Sequence, residues 1–281
     1  MRKYFILTGL ILLIGVLFYV IYLPVSLTGE SKEALFVVEK GEGSRDIALN
    51  LEKQRLIRWG PVFRIYVLTF GMSEKLQAGT YLLSPLMNIP QIAEKLVEGE
   101  VAKEKITIIE GWNLKDIGFY FENKGMFQAE ELYDEMAELE GYLFPDTYWV
   151  MKDESLEDIV QRMKDNFEEK TKNLEITPGV VVMASLLERE LQTKDDKEVA
   201  SGILWKRLQI GMPLQVDVEM WTYENLGLPP KPICNPGLES IKAAIYPKES
   251  VYWYYLSTPE GETIFSKTLE DHNIAKAFYL K

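Results

Sequence analysis

The 281-residue sequence predicts an α+β chain in three parts: an N-terminal transmembrane helix, a small α+β module, and a mixed α/β domain. Three observations carry this. Residues 4–29, "YFILTGLILLIGVLFYVIYLPVSLTG", contain no charged side chain. A strand–glycine–helix pattern then occurs twice, at 36–57 and 106–127. Beyond it, apolar helical stretches alternate with Gly- and Pro-rich loops. The expected divisions are 1–29, 30–130 and 131–281.

The first element is long enough for a single helical span of about 20 residues. Arg2 and Lys3 precede it, which favours a cytoplasmic N-terminus with the rest of the chain outside the cytoplasm. A cleaved signal peptide would need a small-residue cleavage site, and the first alanine of the chain is Ala34. The expected location is therefore the cell membrane, single-pass.

In the module, "FVVEKGEGSRDIALNLEKQRLI" lies over "ITIIEGWNLKDIGFYFENKGMF". Gly41 matches Gly111, Asp46 matches Asp116, Ile47 matches Ile117 and Glu52 matches Glu122. Each copy reads as an apolar strand, a glycine turn and a helix, with Ser44 or Asn113 as candidate N-cap. Between them, "AGTYLLSP" reads as a strand and "NIPQIAEKLVEG" as a helix ending at Gly99. The module carries no obvious chemistry.

The last part begins after "EGYLFPDTYWV" with a helix at about 154–172. "TPGVVVMASLLERELQ" opens a second, with Thr177 as N-cap and Pro178 at its first position. At 100° per residue Glu188 falls between Val181 and Ala184 on one side and Ser185 and Gln192 on the other. Glu190 projects elsewhere, beside Met183 and Leu186. A helix over 196–211 follows, capped at Gly211. "MPLQVDVE" places Gln215 and Asp217 on one side of a short extended segment. The rigid loop "GLPPKPICNPGLESIKAAIYP" carries Asn235. An aromatic strand, "VYWYYLSTPEG", and a terminal helix beginning near Asp271, His272 and Asn273 close the chain.

Composition narrows the chemistry. The net charge of −12 offers no basic face for nucleic acid. One cysteine, Cys234, and one histidine, His272, exclude an intramolecular disulfide and a zinc site built on several Cys or His ligands. No G-x-S-x-G motif accompanies His272. No metal or other cofactor is expected, and catalysis falls to carboxylates. Glu188, at the edge of an apolar surface, is a candidate general acid, because desolvation raises a carboxyl pKa. A helix end turning toward water is the plainer reading of the same residue.

"ASLLERE", "LQVDVE", "GLPPKPICNPGLESIKAAIYP" and the late "HN" occur in an order that resembles the YceG-like family of endolytic murein transglycosylases. "EGYLFPDTY" and the upstream "IEG" are also similar to that family. The resemblance covers nearly the whole chain and implies an anchor, a LysM-like module and a catalytic transglycosylase domain. It implies cleavage of the β-1,4 bond between N-acetylmuramic acid and N-acetylglucosamine in nascent peptidoglycan. The products end in 1,6-anhydromuramic acid, and one carboxyl acts first as acid and then as base. By motif position that carboxyl is Glu188, with Gln215, Asp217 and Asn235 shaping the sugar site and Glu190 as helper. Glycan strands, the cell membrane and peptidoglycan synthases are the implied partners.

Two departures stand out. A longer "YNTY"-containing stretch is cut to "WTYENLGLPP", with Trp221 where Asn would stand, and a late "GGH-F" is "GETIF". Two other readings stay open: a glycan hydrolase using Glu188 with Asp217, and a non-catalytic glycan-binding or assembly protein.

Overall fold

The computed structural model describes residues 2–27, 33–134, 136–152 and 154–280, without the side chains of 2–7, 10, 13 and 14. The chain divides into two units: Met1–Glu104 with Trp149–Asp153, and Lys105–Tyr148 with Glu154–Lys281.

Unit one starts with α1 (Arg2–Tyr22). Among the described residues no helix is long and apolar enough to cross a membrane. The expected span draws on side chains outside that set, and the boundary expected at residues 29–30 also lies outside the described residues. Next come β1 (Ala34–Val38), α2 (Ser44–Lys53), α3 (Gly60–Thr69), β2 (Gly79–Leu83) and α4 (Ile89–Glu98). β1 and β2 pair antiparallel, from Ala34 opposite Leu83 to Val38 opposite Gly79. Alternation along β1 buries Phe36 and Val38 and exposes Leu35 and Val37. The buried pair packs with Ile47, Leu51, Phe63, Tyr81, Ile92 and Leu96 into one core. Asn88 caps α4 by accepting from Gln91 N–H at 3.0 Å, and Gly99 closes it in a left-handed turn.

Unit two contains most of β3 (Lys103–Thr107), then α5 (Leu114–Asn123) and α6 (Ala129–Tyr133), and the start of β4 (Thr147–Met151), which pairs with β3. It continues through α7 (Leu156–Thr171), α8 (Pro178–Glu190), α9 (Lys194–Gln209), α10 (Trp221–Glu224), α11 (Leu238–Ile245), β5 (Tyr254–Ser257), β6 (Thr263–Ser266) and α12 (Leu269–Tyr279). β5 and β6 form an antiparallel hairpin. The core lies among α8, α9 and α11, with Val181, Met183, Ala184, Leu187, Leu204 and Ile241 at or near complete burial.

The sequence echo is a structural repeat: β1–α2–α3 and β3–α5–α6 are built alike. Gly41 and Gly111 turn the chain at φ +84 and +82, where a residue with a Cβ is strained. Ile47 and Ile117 are both fully buried. Glu52 accepts from Gly60 N–H at 2.8 Å, and Glu122 accepts from Ala129 N–H at 3.1 Å. Each thus satisfies an orphan donor at the start of the following helix. The close helix approach is solved in mirror fashion. A Cβ on Gly60 would lie 2.8 Å from Ala48 O, and one on Gly118 would lie 2.8 Å from Ala129 O.

Two local expectations change. Gly43, not Ser44, is the N-cap of α2, and Ser44 is its first residue. The segment around Gln215 and Asp217 is not extended: Gln215 has φ +51, in the left-handed region. It belongs to a tight turn, held where Gln215 N–H meets Thr222 O at 3.2 Å.

Candidate active site

The C-terminal end of α8 delivers two carboxyls, Glu188 and Glu190, to two different places. α8 itself begins where Thr177 accepts from Val180 N–H at 3.2 Å, with Pro178 at its first position. It buries every residue from Val180 to Leu187. Glu188 and Glu190 then leave that core in different directions.

Glu188 turns inward. Lys197 Nζ, from α9, donates to Oε1 at 2.9 Å, and Gly237 N–H, at the N-cap of α11, donates to Oε2 at 2.8 Å. Both partners of the ion pair are buried, with side-chain exposures of 8% for Glu188 and 5% for Lys197. The carboxylate sits at a helix N-terminus, where backbone donors and the helix dipole favour negative charge. Each oxygen thus accepts one hydrogen bond from the protein. Glu188 joins α8, α9 and α11.

Glu190 turns into a cleft of about 460 Å³, which it shares with Gln215, Asp217, Tyr223, Tyr254, Tyr255 and His272, among others. Its carboxyl is pushed up to about 7. Burial is the chief cause, the charge of Asp217 adds to it, and a hydrogen bond from the Val218 backbone opposes it. Asp217 is itself held by a hydrogen bond from the Tyr223 hydroxyl. That phenol is pushed up to about 12, first by burial and then by Asp217, so it remains a donor at neutral pH.

Two buried polar atoms among the cleft's lining residues, Tyr255 Oη and His272 Nδ1, have no hydrogen-bond partner within the protein. Such orphans are costly unless water or a ligand meets them. Burial holds the Tyr255 phenol well above its usual range. Burial, followed by the Lys276 and Arg207 charges, lowers the His272 pKa, which favours neutral imidazole. The imidazole stacks on Tyr254 with ring centres 5.3 Å apart. Arg207 holds the floor by donating to Leu214 O at 2.5 Å and to Trp253 O at 2.6 and 3.0 Å.

Of the residues singled out from sequence, the cleft therefore gathers Glu190, Gln215 and Asp217. Glu188 lies outside its lining, and so does Asn235. Asn235 is fully buried. Its Oδ1 accepts from Gly141 N–H at 3.0 Å and Leu143 N–H at 2.9 Å. Its Nδ2 donates to Trp112 O at 3.1 Å and Glu140 Oε1 at 3.3 Å. Asn235 is a clamp for three loops, with no polar atom left for a sugar.

Sequence reasoning missed Arg207, Tyr223, Tyr254 and Tyr255 as site residues, and assigned His272 no role in the site. Among the described residues no group of three His, Cys, Asp or Glu side chains could hold a metal ion.

Comparison with known proteins adds a family. The model of the YceG-like family matches residues 36–221 and 219–277. An endolytic murein transglycosylase of Bacillus subtilis (strain 168) is 30% identical over 302 aligned residues, covering 86% of this chain and 84% of that protein. One of Streptococcus pneumoniae serotype 2 is 24% identical over 91% of this chain and 60% of its own length. The crystal structure of a yceG-like protein from Listeria monocytogenes superposes with a TM-score of 0.54 at 27% identity, covering 88% of this chain and all of that one.

Proposed function

The chain belongs to the YceG-like family, and on that premise we propose that it is a lytic transglycosylase that cuts peptidoglycan glycan strands with Glu190 as its acid and base. The observation that carries the assignment is a half-buried carboxyl with a pKa of about 7, in the cleft beside Asp217. General acid catalysis works best when the group's pKa lies near the operating pH. Glu188 has the motif position but lies outside the lining of this cleft, where Lys197 and Gly237 each donate to it.

In the proposed reaction Glu190 gives its proton to the glycosidic oxygen between N-acetylmuramic acid and N-acetylglucosamine as the C1–O bond breaks. The muramyl C6 hydroxyl oxygen closes on C1, and its proton goes to the Glu190 carboxylate, which restores the acid. No water is consumed. The negative charge of Asp217 faces the positive charge that develops at C1. Gln215, exposed in the cleft, is a polar group that would meet sugar oxygens and the N-acetyl group.

A membrane anchor is part of the same proposal. α1 is 21 residues long, or roughly 31 Å at 1.5 Å per residue, close to the thickness of a bilayer's hydrocarbon core. The run 4–29 that contains most of it is uncharged. With Arg2 and Lys3 inside, the cleft would face nascent glycan outside the membrane, in reach of peptidoglycan synthases. The first copy of the βαα repeat, with β2, is assigned to a LysM-like positioning module.

The test is digestion of nascent glycan by the detergent-solubilised chain, with mass spectrometry of the ends. Anhydro ends, one water lighter than reducing ends, are expected. Reducing ends would replace this reading with hydrolysis by Glu190 and Asp217, and no cleavage would leave only binding.

A further inference from the structure

The turn that closes one side of the cleft also walls a second depression on unit two. Thr222, fully buried, knots this turn: its Oγ1 accepts from Val216 N–H at 2.9 Å and lies 2.7 Å from Glu219 O. Glu219 Oε1 in turn accepts from Trp221 N–H at 3.0 Å. The knot delivers Gln215, Asp217, Val218 and Tyr223 to the cleft. It delivers Glu219 and Trp221 to a depression of about 320 Å³, walled also by Pro229, Pro230, Lys231 and Ile233. Glu140 lines it too, but that carboxyl is engaged: Leu114 N–H donates to Oε2 at 3.1 Å, and Asn235 Nδ2 lies 3.3 Å from Oε1.

The depression therefore offers a half-buried indole, a stiff proline wall, and two opposite charges, Glu219 and Lys231. A pyranose ring has the matching duality, with an apolar C–H face and a rim of hydroxyl and amide groups. We propose that this depression is a second sugar subsite, which holds an N-acetylhexosamine of the strand being cut with its C–H face on Trp221. The assignment rests on the glycan-cleaving function proposed above and names which further part of the strand the chain grips. An enzyme that cuts within strands must hold sugars beyond the reacting pair. Binding energy from such remote units orients the scissile bond. The prolines give the wall its shape at little entropic cost. An indole and a proline wall suit a ring better than the carboxylates of a stem peptide.

The experiment measures binding in the Glu190→Gln background, where strands survive, with full-length protein in detergent. The ligands are glycan strands of graded length stripped of stem peptides, and the readout is titration calorimetry. Trp221→Ala is expected to weaken binding of long strands about tenfold, an ordinary loss for truncating a tryptophan anchor. Short strands that fill only the cleft should bind as before, and Trp221→Phe should recover part of the loss. Lys231→Ala, on an exposed side chain, provides a second variant that leaves the fold intact and should also weaken only long strands.

Equal affinity at every length for both variants would overturn the subsite. A Trp221 effect that appears only when stem peptides are retained would assign the depression to peptide and overturn it as well. A wild-type chain that binds long strands through Trp221 but forms no anhydro ends would sink the proposed function alone.

Discussion

Replacing Glu190 by Gln should abolish cleavage and stabilise the protein at the same time. The amide keeps the size of the carboxyl but has no proton to transfer. Since general acid–base catalysis contributes roughly 10²–10⁴-fold, turnover should fall by at least about 100-fold. The stability gain follows from the same raised pKa. In the folded chain Glu190 keeps its proton until about pH 7, against an ordinary 4.5 for an unperturbed glutamate. Between those values the folded state binds a proton that the unfolded state has lost, so stability falls as pH rises through the window. At 1.36 kcal/mol per pH unit, the full window costs at most about 3 kcal/mol, and solvent screening at a half-buried group reduces this to about 1–2 kcal/mol.

Gln carries no such penalty. Its melting temperature should exceed that of the wild type by roughly 2–8 °C at pH 8, and the two should converge near pH 4, where Glu190 is neutral in both states. Calorimetric melts at the two pH values, with product analysis on the same samples, check both halves. Wild-type turnover by a folded Glu190→Gln protein would refute the assignment. A melting difference that stays constant from pH 8 to pH 4 would refute its physical basis.

Glu188→Gln should act in the opposite sense: it strands the buried Lys197 charge and should cost about 3–5 kcal/mol, read as a lower melting temperature. Asn235→Ala leaves buried N–H groups of Gly141 and Leu143 without an acceptor and should destabilise by about 2–4 kcal/mol, again in thermal melts. The wild-type cleavage rate at saturating glycan should decline as pH rises through about 7, where Glu190 loses its proton, and Glu190→Asp should move that limb. Gly41→Ala and Gly111→Ala should each cost about 1–2 kcal/mol for a left-handed backbone, but only the second should lower turnover per folded molecule.

Local features were legible in the sequence because their causes are local. Thr177-Pro178 announces α8, Asn113 announces α5, and Gly99 ends α4, each through groups within one turn. The echo of 36–57 in 106–127 was legible for the same reason, since Gly41 and Gly111 answer one backbone demand. The choice between Glu188 and Glu190 was not. A helical wheel ranks positions by the apolarity of their neighbours, but α8 is buried on all sides from Val180 to Leu187, so no face of it singles out the cleft. What separates the two acids comes from elsewhere in the chain. Lys197 and Gly237 claim one; Asp217 and the 254–255 strand surround the other. The left-handed Gln215 was hidden too, because a non-glycine residue is rarely found there.

The two copies of the repeat show how one local solution acquires a second use. Around Gly41 a Cβ would meet nothing within 4 Å, and the turn is held locally, with Glu42 Oε2 accepting from Glu39 N–H at 3.0 Å. Around Gly111 a Cβ would lie 3.6 Å from Glu188 Cγ and 3.7 Å from Arg189 Cδ. Arg189 Nη1 donates to Gly111 O at 3.1 Å and comes within 4.0 Å of Asp116, and Gly111 N–H donates to Asn235 O at 3.0 Å. The second copy's turn is thereby fastened to the end of α8 immediately before Glu190. A carboxyl can act as both acid and base only if it is held in place through two proton transfers. Here its helix end is pinned on one side by Glu188 to Lys197 and Gly237, and on another by Arg189 to the glycine turn. The residues flanking the proposed catalytic acid spend their charges on that fixation, which leaves Glu190 as the one carboxyl of the three-residue run that faces the cleft.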